Sequence, residues 1–392
     1  MLPKIPFNKP FITGSEIEYV AGAIASGEIA ADGRFTRRCA ELLEDRFSIF
    51  KVLMTPSCTA ALEIAAMLCD LKPDDQVIMP SFTFVSAANA VVRAGATPVF
   101  VDIRPDTFNI DERLLEQSIT PKTKAIFPVH YAGVSCEMDS IMAIAKARKL
   151  LVVEDAAQGV NATYNGRALG SIGHLGAYSF HDTKNYVCGE GGALCINSPE
   201  LAERAEIIRE KGTNRDQFFR GEVDKYTWVD VGSSFIPAEI VCAFLLAQLE
   251  AMHDITARRR AVHQFYVENL APLEERELLS IPHVPAGCET NYHMFYVLLG
   301  DEGTRDGLMA HLKKNSISAV FHYVPLHTSA MGAKLGYREG DLPLTEDLSA
   351  RLLRLPFFPE ITRDEQMRVV RCTSEFLTQT QVAAPAVGRQ QQ

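Results

Sequence analysis

Lys184 lies in the run Ser179-Phe180-His181-Asp182-Thr183-Lys184-Asn185, and a glycine-rich turn, Gly189-Glu190-Gly191-Gly192, follows closely. Lysine is ordinarily a surface residue, and a setting of aromatic, small and β-forming neighbours is an odd one for a solvated charge. An amine held in a partly desolvated pocket is a nucleophile for carbonyl compounds. Taken alone, the run reads equally well as a surface lysine in a loop. A second segment lies upstream: Leu151-Val152-Val153-Glu154-Asp155-Ala156-Ala157-Gln158-Gly159. Its apolar, partly β-branched start reads as a buried parallel strand that ends at Asp155. Ligands of open α/β sheets bind outside the carboxyl ends of the strands. An acid there can hold a positively charged ring nitrogen, although a lone aspartate is as readily a helix N-cap.

The two readings support each other. A lysine that forms an imine and a buried acid that pairs with a pyridinium are the two main contributions a protein makes to pyridoxal-phosphate chemistry.

The elements that must position this pair follow from the hydrophobic pattern. Between Lys51 and Asn197, strand-like runs (Gln76 to Pro80, Thr97 to Val101, Ala125 to Val129) alternate with helical stretches such as Glu137 to Arg148. That alternation predicts an α/β fold with a mostly parallel, doubly wound sheet. Residues 13 to 26 read as an amphipathic helix with Thr13 or Ser15 as N-cap and Gly27 past its end. A long helical stretch from Pro237 to Leu270 marks the exit from the large domain. Beyond it, strands (Met294 to Leu299, Ser318 to Tyr323) alternate with helices (Thr304 to Asn315, Thr345 to Leu353), which predicts a smaller α+β domain. The expected division is an N-terminal arm over 1–14, a large domain over 15–245, a small domain over 246–377 and a disordered tail over 378–392.

Composition narrows the function. With 392 residues the chain is long enough for two or three domains. Its formal net charge of −10 opposes nonspecific binding to nucleic acid or anionic membranes, while leaving room for a local basic pocket. Nine cysteines without a paired framework fit a reducing compartment, with Cys136, Cys195 and Cys242 expected as buried thiols. Met1-Leu2-Pro3-Lys4 does not read as a secretory leader, and apolar runs fall short of the ~20 residues of a membrane span. A cytoplasmic protein is expected. No metal ligands are assigned.

From about Pro6 to about Phe376 the chain resembles the DegT/DnrJ/EryC1/StrS sugar-nucleotide aminotransferases, within the fold-type I pyridoxal-phosphate enzymes. The blocks that carry the resemblance are Asp32-Gly33-Arg34-Phe35-Thr36-Arg37-Arg38-Cys39, Thr55-Pro56-Ser57-Cys58-Thr59-Ala60 and Pro128-Val129-His130-Tyr131-Ala132-Gly133. Further blocks are Lys211-Gly212-Thr213-Asn214-Arg215 and Val223-Asp224-Lys225-Tyr226-Thr227-Trp228. The resemblance implies an aspartate aminotransferase-like fold, pyridoxal 5′-phosphate as cofactor, a homodimer, a nucleotide-sugar substrate and L-glutamate as amino donor. Within the family the blocks are most similar to a subgroup that forms dTDP-4-amino-4,6-dideoxygalactose from the 4-keto-6-deoxyglucose nucleotide, associated with enterobacterial common antigen and lipopolysaccharide. The gluco epimer or another nucleotide ketosugar is the alternative. Dehydrases of the same family carry histidine in place of the lysine, and Lys184 argues against that activity. A pyridoxal-phosphate-binding regulator without turnover is the alternative of another class.

The resemblance also implies further site residues. Cys58 and Thr59 open a helix, where free N–H groups and the dipole attract phosphate; without the family match they read as plain helix-start residues. Relatives usually carry glycine at position 58, an exchange that leaves backbone donors in place. Ser179 is implied as a second phosphate donor. Phe84 is implied as a ring stacked on the cofactor, though alone it reads as core. Gln158 is implied as partner of the cofactor's ring oxygen, though alone it is a surface amide. Ser234, in Gly232-Ser233-Ser234-Phe235, stands where many relatives place an asparagine that reaches the neighbouring subunit's phosphate. Arg215, Lys225, Tyr226 and Trp228 combine cations with aromatics suited to a nucleotide diphosphate and base. Tyr323 and His327, in His322-Tyr323-Val324-Pro325-Leu326-His327, are implied near the substrate.

Overall fold

The computed structural model describes residues 3–27 and 29–383. The strands of its large domain are β1 (Lys51–Thr55), β2 (Gln76–Pro80), β3 (Thr97–Val101), β4 (Thr123–Ile126), β5 (Leu151–Asp155), the two-residue β6 (Thr163–Tyr164) and β7 (Arg167–Ala168), β8 (Leu175–Ser179) and β9 (Gly192–Ile196). Seven of them form the central sheet in the order β1-β9-β8-β5-β4-β2-β3. All neighbours from β8 to β3 are parallel, and β9 runs antiparallel to both β8 and β1. This is the doubly wound α/β architecture that the alternating pattern predicts.

Apolar runs rather than alternating ones make these strands because both faces are covered. Successive residues enter different cores. Val152, Ile78 and Cys195 pack in one hydrophobic cluster, and Val153, Val77, Met79, Leu194 and Ile196 pack in the other. The period of two therefore separates two dry layers and leaves no polar face. At the end of β5 the same alternation sends Glu154 and Asp155 to opposite sides. Glu154 is fully buried and accepts hydrogen bonds from the backbone N–H groups of Gly170, Ile172 and Gly173, and from His130 Nε2 at 2.9 Å. Asp155 has only one such partner, so the two neighbouring acids are not equivalent.

The expected helix over 13 to 26 runs from Glu16 to Ser26 and ends at left-handed Gly27. Its first turn is tied by Glu16, which accepts from the N–H groups of Thr13 and Gly14 at 2.8 Å, and Ser15 makes no side-chain cap. The stretch expected as one long helix is two, Glu239–Glu250 and Met252–Glu274, meeting at 62°. No single helix among the described residues is long and apolar enough to cross a membrane. Met252 and Ile255 still belong to the large-domain core, and Val262, Tyr266 and Leu270 belong to a third cluster. The change of core thus falls inside the second helix rather than at 245.

That third cluster is the small domain, and the N-terminal arm is part of it. Ile5 is fully buried there, bridges Ile317, and is followed by Phe7, whose carbonyl accepts from Phe357 N–H at 3.0 Å. The short strand β10 (Cys288–Glu289) pairs with β6, and β11 (Tyr296–Leu298) pairs antiparallel with β12 (Leu352–Arg354). The strand expected over Ser318 to Tyr323 reduces to a single bridge, Val320 to Arg354. The tail expectation needs correction as well. The helix Arg363–Ala383 carries residues 378 to 383, buries Leu377, and receives a hydrogen bond from Arg276 on Gln381 at 2.8 Å. Tertiary packing holds this end of the chain where composition alone reads as disorder; residues 384–392 lie outside the described residues.

Candidate active site

The carboxyl ends of β1, β2, β5 and β8 open on one cavity of about 570 Å³, as expected for an open α/β sheet. The large-domain walls can be traced to strand ends. After β1 the chain enters the helix Cys58–Leu68, with Ser57 in extended conformation as N-cap and its hydroxyl accepting from Ala60 N–H at 3.1 Å. Cys58 and Thr59 line the cavity, so the positive end of this helix borders it. The Thr59 hydroxyl bonds Ser86 at 2.7 Å, and burial pushes the Cys58 thiol well up, so it stays neutral. A Cβ on Gly192 would lie 2.4 Å from the backbone nitrogen of Cys58. Glycine there is what allows β9 to lie against the helix start. Ser179, the last residue of β8, is buried in the same wall.

Phe84 follows β2 and precedes the helix Val85–Arg93. It is 57% exposed and borders the cavity, which rules out the core reading. Asp155 accepts one hydrogen bond, from Ala157 N–H at 3.1 Å. Burial raises its pKa, only partly offset by that bond and by the nearby charges of Lys184 and His130. Lys184 sits in a turn closed by its own N–H on the His181 carbonyl at 2.9 Å. Burial lowers its pKa, with Cys58 and Asp155 acting in the opposite direction. Its accessible part borders the cavity.

Gln158 is no surface amide. Its side-chain oxygen accepts from Ala132 N–H at 2.7 Å and its Nε2 donates to the Tyr323 hydroxyl at 3.0 Å. An amide nitrogen carries two donors, so one N–H remains for a ligand. Tyr323 reaches the cavity through that bond, with its ring 6.5 Å from Phe84.

The structure therefore brings together Cys58, Thr59, Phe84, Asp155, Gln158, Ser179, Lys184 and Tyr323. Others stand apart. Arg215, Lys225, Tyr226, Trp228 and Ser234 do not line the cavity; Trp228 is 77% exposed, and Arg215 pairs with Glu210 at 2.9 Å. His327 has to be corrected: it is fully buried, with Nδ1 on Ser81 at 2.7 Å and Nε2 on Glu346 at 2.8 Å, so neither nitrogen is available to a substrate. The block Asp32 to Cys39 also has structural work. Asp32 pairs with Arg209, and Glu239 caps the helix Arg34–Phe47 through the N–H groups of Phe35 and Thr36.

Several wall residues escaped the sequence reading. Phe7 and Asn8 come from the arm, His293 precedes β11, His322 neighbours Tyr323, and Arg354 ends β12. All are far from Lys184 in sequence, and no local pattern marks them. Only His322 had a signal, as the first residue of a motif already singled out.

Chemically the cavity offers an amine, a desolvated carboxylate, a helix N-terminus beside two hydroxyls, an open aromatic face and a free amide N–H. These match the features of pyridoxal phosphate: an aldehyde, a ring nitrogen, a phosphate, a planar ring and a ring oxygen. The carboxylate is the most telling of them, because it is buried without a full set of partners and needs a cation.

Comparison with known proteins agrees. The model of the DegT/DnrJ/EryC1/StrS aminotransferase family matches residues 10–374. The chain is 34% identical over 380 residues to GDP-perosamine synthase of Caulobacter vibrioides, covering 96% of this chain and 99% of that protein. It is 38% identical over 318 residues to a pleiotropic regulatory protein of Geobacillus stearothermophilus, covering 81% and 82%. The sugar aminotransferase Spr1654 of Streptococcus pneumoniae, described as putative and solved in its PLP form, superposes with a TM-score of 0.88 at 26% identity, covering 96% and 99%. The chain belongs to the DegT/DnrJ/EryC1/StrS aminotransferase family, whose cofactor is pyridoxal 5′-phosphate.

Proposed function

We propose that this chain transfers the amino group of L-glutamate to C4 of dTDP-4-keto-6-deoxy-D-glucose, giving dTDP-4-amino-4,6-dideoxy-D-galactose for a cell-surface polysaccharide. The observation that carries the aminotransferase reading is the meeting of Lys184 and the buried Asp155 on one cavity. Lys184 would hold the cofactor covalently, Asp155 its ring nitrogen, Gln158 its ring oxygen and Phe84 its ring face. Cys58, Thr59 and Ser179 would hold its phosphate. Pyridoxal phosphate, when bound, supplies an electron sink for the carbon that gives up its proton.

The protein's own part is proton management. Burial lowers the Lys184 pKa, which raises the share of neutral amine near pH 7 and suits a group that both takes and returns a proton. The Asp155 carboxylate would keep a proton on the ring nitrogen. Two substrates then use one cavity in turn, and ping-pong kinetics follow.

The substrate assignment is supported by the blocks Lys211 to Arg215 and Val223 to Trp228. They lie together on the surface, joined by a bridge between Thr213 and Trp228 and by Thr227 N–H on Asn214 at 2.7 Å. Because the proton is delivered from one face, the orientation in which the sugar is gripped decides the epimer. Arg215 and Lys225 are the candidates for the diphosphate, with Tyr226 and Trp228 for the base and Tyr323 near the sugar. A GDP-linked ketosugar is the second reading, favoured by the similarity to GDP-perosamine synthase. Incubation with glutamate and dTDP-, UDP- and GDP-linked 4-keto-6-deoxysugars, with NMR of the products, is expected to give the axial 4-amino sugar on dTDP. The equatorial epimer, or preference for another nucleotide, would overturn the assignment. Bound cofactor with no turnover on any of them would favour a regulator, the description carried by the Geobacillus relative.

A cytoplasmic homodimer belongs to the same proposal. Trp228, Val229 and Val231 are more than half exposed, and Ser234 lies on the surface outside its own chain's cavity. A partner copy would cover these apolar residues and receive Ser234 at its own phosphate. Sedimentation at micromolar concentration is expected to show a dimer; an active monomer would contradict it.

A further inference from the structure

His293 is a buried imidazole on the cavity wall, held in place by polar contacts. The buried His263 differs: it packs among the rings of Tyr292, Phe295 and Phe357, as a core histidine does. Burial keeps His293 neutral, and the charges of Lys184, Arg259, His322 and Arg354 act in the same direction. Its Nδ1 lies 2.9 Å from the side-chain oxygen of Asn185. The Asn185 amide is oriented by its own nitrogen, which donates to the Asn291 carbonyl at 2.8 Å, so the atom it turns to His293 can only accept. The ring proton therefore sits on Nδ1, and Nε2 carries a lone pair. Among the described residues nothing hydrogen-bonds this Nε2, and it is not sealed in the interior. The backbone is fixed as firmly as the ring. Arg259 donates to the carbonyls of Tyr292 and His293, and the side-chain nitrogen of Asn291 donates to the carbonyls of Gln158 and Val160, both at 2.8 Å.

We propose that His293 Nε2 accepts a hydrogen bond from the C3 hydroxyl of the ketosugar, the hydroxyl beside the reacting C4; this rests on the nucleotide-ketosugar reading above. Three considerations choose that partner. An imidazole that resists protonation is a poor base for an ammonium but a sound acceptor for a neutral hydroxyl. L-Glutamate has only its reacting ammonium to donate, whereas the sugar carries hydroxyls that take no part in the transfer. His293 also feels the charge of Lys184, at which nitrogen is exchanged, so the sugar atoms it meets are those next to C4. Of these, C3 bears a hydroxyl and C5 a methyl. Asn185, the chain neighbour of Lys184, is then a positioning residue that sets the tautomer. An acceptor oriented in advance needs no reorganisation when the sugar arrives.

The test compares a nucleotide-linked 4-keto-6-deoxyglucose with its 3-deoxy analogue in the sugar half-reaction of the purified holoenzyme. Wild type is expected to prefer the hydroxylated sugar by about 10–100-fold in kcat/KM, the range for leaving a buried acceptor unpaired. His293→Leu is expected to bring that ratio close to one, with the glutamate half-reaction unchanged; a histidine with a merely structural role would slow both sugars alike. Asn185→Ala frees the tautomer and is expected to lose part of the preference; it serves alone if the leucine variant does not fold. Calorimetry with dTDP-6-deoxy-D-glucose, which has no ketone and cannot react, and with its 3-deoxy analogue gives the same comparison without turnover. Wild type without a preference in either measurement, or a preference that His293→Leu retains, would overturn the proposal and leave the aminotransferase reading in place. If no ketosugar reacts while the calorimetric preference still depends on His293, the reading of the reaction fails and this one stands.

Discussion

Lys184→Ala is expected to reduce turnover by at least about 10³-fold, since proton transfer by a positioned group alone contributes ~10²–10⁴-fold and covalent attachment is lost with it. The variant should also lose the near-visible absorbance of lysine-linked cofactor. Borohydride treatment followed by peptide mass analysis should mark Lys184 in wild type and nothing in the variant. The fold should survive, because the backbone of Lys184 makes the turn to His181 while its side chain borders the cavity. Removing a half-buried amine whose charged form is disfavoured by desolvation also takes away no packing element of the core. A variant that keeps full activity would sink the assignment of the nucleophile.

Asp155 was legible because it ends a strand, which is a local property, and Lys184 because its aromatic, small and β-forming neighbours and the glycine-rich turn after them are an odd setting for a solvated charge. Val152 and Val153 announce β5, and the residue that follows the apolar run must emerge where ligands bind. What the run cannot tell is which of two consecutive acids does so. Glu154 is consumed by three backbone N–H groups and His130, contacts made by Gly170 to Gly173 that no spacing rule reveals. Phe84 was ambiguous between core and platform for the same reason, and its exposure resolves it.

The small-domain half of the site was much less legible. Arg354, His293 and the arm residues Phe7 and Asn8 reach the cavity through contacts between distant segments. The arm is the clearest case: Ile5 sits in a core built from residues beyond 261, so its role is invisible until the chain has closed on itself. His327 fails in the opposite direction. Its motif suggests a substrate contact, but Ser81 and Glu346, both distant in sequence, occupy its two nitrogens. The helix end at 378–383 likewise depends on a long-range partner, Arg276.

Asp155→Asn should separate activity from stability. Without cofactor, burial raises the Asp155 pKa above its ordinary value of 3.8. A group raised in the folded state contributes stability below its unfolded pKa and loses it as the pH climbs through the folded pKa. At neutral pH the ionised side chain is therefore a net cost to the cofactor-free protein. Asparagine keeps an oxygen for the Ala157 N–H and removes the charge, so the cofactor-free variant should melt at the same temperature as wild type or higher. Its stability should also depend less on pH across the window above 3.8. The holoenzyme should behave oppositely. The cation facing position 155 loses its partner, and breaking one side of a buried pair costs about 3–5 kcal/mol, so turnover should fall by about 10²–10⁴-fold. Added pyridoxal phosphate should raise the melting temperature of the variant less than that of wild type, because stabilisation by a ligand scales with the logarithm of its affinity. Wild-type turnover in the variant, with the same thermal shift on adding cofactor, would show that Asp155 is only a turn residue serving Ala157.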